Sequence, residues 1–270
     1  MMDRPRATIG LIQLPSDIPL DMEAPGLFDQ IPNIRFRMSK MVFDEGDEDI
    51  SHEVYSRAKK HISNAAKSFL PADSGRYGSV DVMAMCCTSL SFSLGPETVQ
   101  KELKRGYPSA KAFTDMATAS VNAIKYVSGK TGARVQIGLL TPYIDSVHDS
   151  NVAFLKDNGI DVVVQHNLGL TQDTLTSSVD PSSILSVVET VAKSSAGKLD
   201  AFFIGCSAFQ STGYGFIDKV ENAIKMPVIS SNQAVLWQCL RMCDEVTPED
   251  LRKVRGYGVL FSRQPIKSNI

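Results

Sequence analysis

The chain has 270 residues, 43% hydrophobic and 21% charged, with a formal net charge of −2. That is a globular composition long enough for two hydrophobic cores, and it lacks the basic excess that nucleic acid or an anionic membrane attracts. No apolar run approaches the ~20 residues needed to span a bilayer, and the stretch after Arg4 and Arg6 holds Gln13 and ends at Pro15 without a small-residue cleavage site, so neither a signal peptide nor a membrane partner is expected.

In chain order, the first expected strand is IGLI, Ile9–Ile12, followed by the loop LPSD, Leu14–Asp17. No glycine-rich phosphate turn follows it, so no nucleotide is expected. The segment 48–70 has the apolar spacing of a helix. Asp81–Met85 reads as a buried strand that ends at Cys86, Cys87, Thr88 and Ser89. VQIGLLTPY, Val135–Tyr143, and LDAFFIGC, Leu199–Cys206, are continuous apolar runs, the pattern of strands covered on both faces by helices. Between them Ile184, Val187, Val188 and Val191 recur at helical spacing within Ser182–Gly197, after Asp180-Pro181 as a start and before Gly197 as a stop.

The chain repeats itself. Ile9–Ile12 recurs as Ile137–Leu140, the strand ending at Cys87 recurs as the one ending at Cys206, and Ala110–Ile124 resembles Met226–Leu240 with Phe113 against Ile229. The three pairs keep their order, as two copies of one unit would. Alternating helices and buried strands imply an α/β fold with parallel sheets. The expected division is a first domain of residues 1–120 plus 232–270 and a second of 121–231. Ligands of such sheets lie beyond the carboxyl ends of the strands, where both Cys87 and Cys206 fall, so the two thiols are expected to confront each other across a bound molecule.

Five cysteines are an odd number without a paired framework, which suits free thiols in a reducing cytoplasm. A thiol at a strand end, followed by Thr88 and Ser89 or by Ser207, is expected where a helix begins; there hydroxyls cap the helix and free N–H groups favour a thiolate or a substrate carboxylate. The competing reading is that cysteine simply packs as a small apolar residue. Cys86 points to the opposite strand face and is assigned to packing, as are Cys239 and Cys243. His52, His61, His148 and His166 show no metal spacing, so no metal is expected and no histidine is given a catalytic role.

TSLSF after Cys87, TPYIDSVHDSNVAFL (Thr141–Leu155), LDAFFIGC, MPVISSNQAVLW (Met226–Trp237) and RGYGVLF (Arg255–Phe261) together resemble the aspartate/glutamate racemase superfamily, most closely its arylmalonate decarboxylase and maleate cis-trans isomerase branch. The resemblance implies two pseudosymmetric Rossmann-like, flavodoxin-like domains with parallel sheets, an active site in the cleft between them, no cofactor, and cysteine chemistry at a carbon beside a carboxylate. It matches the family's cysteines to Cys87 and Cys206 as the catalytic pair. It places Thr88, Ser89 and Tyr143 on the substrate's carboxylate oxygens; charge developing there calls for donors already aimed at it, and the Ser207 amide is a further candidate. Arylmalonate decarboxylase has glycine at the position of Cys87, whereas racemases and maleate isomerases keep both cysteines. The pair therefore argues for isomerisation.

Two departures concern the substrate. An asparagine expected after the first strand is replaced by Asp17, and a second, expected after LGL, corresponds to Gln172 or Asp173. These residues either face solvent or line the site, where they would recognise a cationic or hydroxylated substrate; the polar loop Thr171–Thr176 argues against an aryl pocket. Three functions stand at this point: a two-cysteine isomerase or racemase of a small carboxylic acid, a malonate-type decarboxylase with Cys206 as the proton donor, and a carboxylate-binding protein without turnover. A homo-oligomer is permitted.

Overall fold

The computed structural model describes residues 5–42, 44, 49–69, 79–195 and 197–262. Two four-stranded parallel sheets form the framework. In the first, β1 (Ala7–Gln13), β2 (Ile34–Lys40), β3 (Val82–Met85) and β4 (Ala112–Asp115) lie in the order β2-β1-β3-β4. In the second, β5 (Val135–Tyr143), β6 (Ile160–Leu170), β7 (Ala201–Ile204) and β8 (Val228–Ser230) repeat it as β6-β5-β7-β8. Ile9 pairs with Val82 and Ile137 pairs with Ala201, so the duplication extends to strand register.

One repeat match shifts by a residue. Met83 pairs with Phe113, and its equivalent Phe202 pairs with Val228 rather than Ile229. The helix caps agree with the ladder: Asp115 caps α5 (Met116–Ser128) by accepting from Thr118 N at 2.9 Å, and Ser230 caps α10 (Ser231–Arg241) in a box with Gln233. Strand pairing and capping are read residue by residue, whereas apolar similarity alone tolerates a slip.

The edge strands β2, β4, β6 and β8 were not among the expected strands. β2 and β6 are mostly half-exposed and lack the continuous apolar run that marks the central strands, while β4 and β8 are only four and three residues long. Of the helix expected over 48–70, α2 spans His52–Lys67; Glu48 and Leu70 lie outside the described residues. The helix starts late because the preceding backbone is extended and bound elsewhere: Asp49 bridges Gln172, Ile50 N–H donates to Thr171 O at 2.9 Å, and Ser51 caps α2. The expected helix Ser182–Gly197 is α8 (Pro181–Lys193), capped by Asp180.

The central helices are exchanged between the sheets. α5 packs on β5, β7 and β8 as well as β4, while α10 packs on β3 and β4 as well as β8, and the two helices lie against each other. α3 is Thr88–Leu94, and α4, Pro96–Gly106, closes against α2. A Cβ at Gly106 would stand 2.4 Å from Ser63 O and 2.5 Å from the Ala66 Cβ. Gly106→Ala is therefore expected to cost about 2 kcal/mol through forced separation of two packed helices, read as a lower thermal midpoint with little change in far-UV circular dichroism.

Cys86 joins the apolar layer containing Ile9, Val82 and Trp237, whereas Cys87 joins the other layer with Met83, Tyr143 and Cys206. Strand alternation thus separates the neighbouring thiols, and Cys239 and Cys243 are buried with Cys86. Among the described residues no helix is long and apolar enough to cross a membrane, and no group of three or more His, Cys, Asp or Glu side chains is disposed to hold a metal ion.

Candidate active site

The segments leaving the carboxyl ends of β1, β3, β5, β6 and β7 bring Asp17, Cys87, Tyr143, Asp173 and Cys206 to one buried polar cluster, which Tyr55 enters from the first turns of α2. Cys87 and Cys206 are each 2% exposed. Both sulfurs feel the charges of Asp17 and Asp173, and both act on the Tyr143 and Tyr55 hydroxyls. The two thiols, one from each copy of the repeat, therefore share a single environment.

Each sulfur has its own donors. Cys206 Sγ accepts from the Tyr143 hydroxyl and from Ala208 N–H at 3.3 Å. Cys87 Sγ lies 3.6 Å from Ser89 Oγ, with the Leu90 N–H near it. Tyr143 ends β5 where the pairing with β6 is irregular: Thr141 faces Asn167 and Tyr143 faces Leu170, so β6 carries an extra residue opposite Pro142, which has no N–H to donate.

The local structure departs from the expected helix-capping picture on two counts. Cys87 is the N-cap residue of α3 and makes no side-chain cap, while no helix follows Cys206 until α9, Phe216–Ile224. The expectation of lowered thiol pKa values is overturned as well. Burial pushes both thiols up, and the neighbouring carboxyls Asp17 and Asp173 push them further, because desolvation and like charge both oppose a thiolate. In the free protein both sulfurs are protonated.

Asp173 turns inward, whereas Gln172 is exposed, which decides between the two alternatives for that loop. Asp17 accepts from Leu14 N–H at 3.2 Å and from the Ser207 hydroxyl. Burial raises Asp17 to about 7, and burial together with the charge of Asp17 raises Asp173 to about 8. In the same loop Thr176 is buried and Leu175 is 48% exposed, so its inner face is polar. Among the described residues, the Tyr55 hydroxyl, Thr88 Oγ1, Asp173 Oδ2 and Thr176 Oγ1 are buried without a hydrogen-bond partner of ordinary geometry. Buried polar atoms in folded proteins are nearly always paired, and the polar groups of a substrate could pair these four.

Behind Ser207 lies a network that no motif announces. Asn232 Nδ2 donates to Ser207 O at 2.9 Å and to Glu23 Oε2 at 2.8 Å, while Thr212 N–H donates to Glu23 Oε1 at 2.8 Å. Glu23 belongs to α1, Ile18–Phe28, whose N-cap is Asp17. One helix thus grips the Cys206–Thr212 loop at two points. The available signal was Glu23 sharing the helical face of Leu20, Ala24 and Leu27; Tyr55 was visible only as part of α2's buried stripe.

Comparison with known proteins places this geometry. The sequence model of the arylmalonate decarboxylase family matches residues 9–261. Arylmalonate decarboxylase of Bordetella bronchiseptica is 28% identical over 186 residues, covering 67% of this chain and 70% of the relative. A substituted arylmalonate decarboxylase in its liganded form superposes with a TM-score of 0.75 at 23% identity, covering 96% of this chain and 100% of that one. Maleate isomerase of Pseudomonas putida S16 with maleate gives 0.76 at 21% identity, covering 95% and 97%. Maleate cis-trans isomerase of Nocardia farcinica with a covalently bound succinylcysteine intermediate gives 0.72 at 19% identity, covering 96% and 99%. The two-sheet α/β fold is shared throughout, and the chain belongs to the arylmalonate decarboxylase family, within the aspartate/glutamate racemase superfamily.

Proposed function

We propose that the protein is a cofactor-independent isomerase, a racemase or cis-trans isomerase of a small carboxylic acid, acting through Cys87 and Cys206. The observation that carries this reading is the pair of equivalent strand-end thiols coupled to the same two tyrosines and the same two carboxyls. Inverting a carbon requires a base on one face and an acid on the other, and two sulfurs from opposing copies of a repeat supply both.

In the working form one cysteine has given its proton to water and is a thiolate, while the other remains a thiol. For racemisation, the thiolate removes the proton beside the carboxylate, leaving a carbanionic enediolate, and the other thiol delivers its own proton to the opposite face. The protonation states of the sulfurs are then exchanged. For a cis alkene the thiolate adds to the double bond while the thiol protonates the adjacent carbon; rotation and reversal of both steps yield the trans isomer. The succinylcysteine of the Nocardia farcinica neighbour is an adduct of this second kind. The hydroxyls of Thr88, Ser89 and Tyr143 are the donors for negative charge developing on carboxylate oxygen. Tyr143 and Ala208 N–H also stabilise the Cys206 thiolate.

The family match favours a second reading, decarboxylation of a malonate-type acid with Cys206 returning the proton. Incubation in deuterated water separates the two. Maleate, aspartate, hydantoins, malonates and amino monocarboxylates are scored for deuterium at the reacting carbon, configuration and carbon dioxide. Isomerase action is expected to give deuterium with inversion, or cis-to-trans conversion, without carbon dioxide; release of carbon dioxide from a malonate without either establishes the second reading. Ligand-induced thermal stabilisation without exchange anywhere in the panel would mark a binding protein.

A further inference from the structure

We infer that the substrate is a monocarboxylic acid carrying a cationic nitrogen group, received between Asp17 and Asp173, and that these two residues reject a second carboxylate. The inference rests on the site proposed above and names the substrate class that the site selects.

Asp17 follows β1 and Asp173 follows β6, so the pair approaches from the two sheets, and both side chains are buried beside the reacting sulfurs. Among the described residues neither has an ion-pair partner: Asp17 is held by Leu14 N–H and the Ser207 hydroxyl, and Lys40, whose charge reaches it, pairs with Asp21 at 2.6 Å. Among the described residues Asp173 Oδ2 has no hydrogen-bond partner, and the charge that acts on it is that of Asp17. Two carboxyls buried without a cation are ionised only at a cost, which a ligand's positive charge would offset.

The unpartnered neighbours point the same way. The hydroxyls of Tyr55, Thr88 and Thr176 are buried and available, so the protein already provides O–H groups for a substrate carboxylate, and what it lacks is a cation. A dicarboxylate would add two negative charges to a site that already holds two acidic groups. A hydroxylated acid would pair the oxygens but leave the charge uncompensated. An ammonium or similar nitrogen cation does both, and the raised pKa of each carboxyl, about 7 and about 8, means that such a ligand draws out their protons on binding.

The test uses the full chain and matched probes: 2-, 3- and 4-aminobutanoate against butanoate, methylmalonate and maleate. Melting temperature and solvent-deuterium uptake are measured for the wild type and for Asp17→Asn, Asp173→Asn and the double variant. At least one aminobutanoate is expected to raise the melting temperature and to exchange at least tenfold faster than any nitrogen-free acid, with that preference falling at least tenfold in the double variant. The inference is overturned if butanoate, methylmalonate or maleate binds or reacts as well as the amino acids. It is equally overturned if no aminobutanoate produces either response, or if the double variant keeps the preference. Cysteine dependence is scored separately with Cys87→Ala and Cys206→Ala: turnover of nitrogen-free acids that needs both thiols defeats the substrate assignment alone, whereas turnover that needs neither defeats the two-thiol chemistry.

Discussion

Replacing either Cys87 or Cys206 by alanine is expected to lower isomerisation by about a thousandfold or more, with the double variant little worse than either single one. The magnitude follows from removing a positioned acid or base, worth roughly 10²–10⁴ in rate, and the lack of additivity follows because the two sulfurs complete one proton relay. Each substitution deletes one buried sulfur and should cost only about 1 kcal/mol of stability, so the variants remain folded and the loss is chemical. With one thiol left, a proton can still leave and return on the same face. The expected signature is deuterium uptake without inversion, from the enantiomer whose C–H bond faces the surviving sulfur. If carbon dioxide release survives Cys87→Ala and is lost in Cys206→Ala, the enzyme is a decarboxylase; full activity in both single variants removes the cysteines from the mechanism.

Thermal stability of the free protein is expected to fall as pH rises from about 4 to about 8. Asp17 and Asp173 titrate near 3.8 when unperturbed but at about 7 and about 8 in the fold, and Glu221 moves from 4.5 to about 7, in each case first because burial penalises the charge. A folded-state pKa raised above the unfolded value means that the native state holds the proton more tightly. Its stabilising contribution is complete below the unfolded pKa and is lost as pH climbs through the folded one. Each group contributes a slope of about 1.4 kcal/mol per pH unit inside its window, or about 3 °C in melting temperature for a chain of this size. Asp250 acts in the opposite sense, because its hydrogen bond to Arg6 depresses its pKa, but that contribution is lost only below the ordinary carboxylate range.

The sharpest form of the pH prediction is Asp173→Asn. At pH 8 it should melt several degrees above the wild type, since it removes a carboxylate ionised against burial and against Asp17; the gap should narrow steadily as pH falls and close only near pH 4, around the ordinary Asp value, where the unfolded chain holds the proton too. Stability gained at the expense of activity is the common outcome when a strained site residue is neutralised. Melting curves at pH 4, 6 and 8 decide it, and a variant that is less stable than the wild type at pH 8 contradicts the account.

The amino-acid sequence by itself determined the fold class and the positions of the two thiols. Central parallel strands must be apolar on both faces, which makes Val135–Tyr143 and Leu199–Cys206 conspicuous, and duplication repeats that signal in order. Edge strands, half-exposed or short, carry a weaker one, so β2, β4, β6 and β8 came to light only in the structure, and the one-residue slip at Phe113 was corrected by hydrogen-bonded register and helix caps. The electrostatics of the site belong to tertiary structure alone. Whether Gln172 or Asp173 turns inward depends on the antiparallel bridge from Asp49, and whether a thiol beside a hydroxyl is acidic depends on how much water and how many carboxyls surround it. Tyr55, Glu23 and Asn232 come from distant parts of the chain and acquire their roles only where the two sheets meet. Burial and charge at a point are sums over neighbours in space, and adjacency along the chain supplies only a few of them.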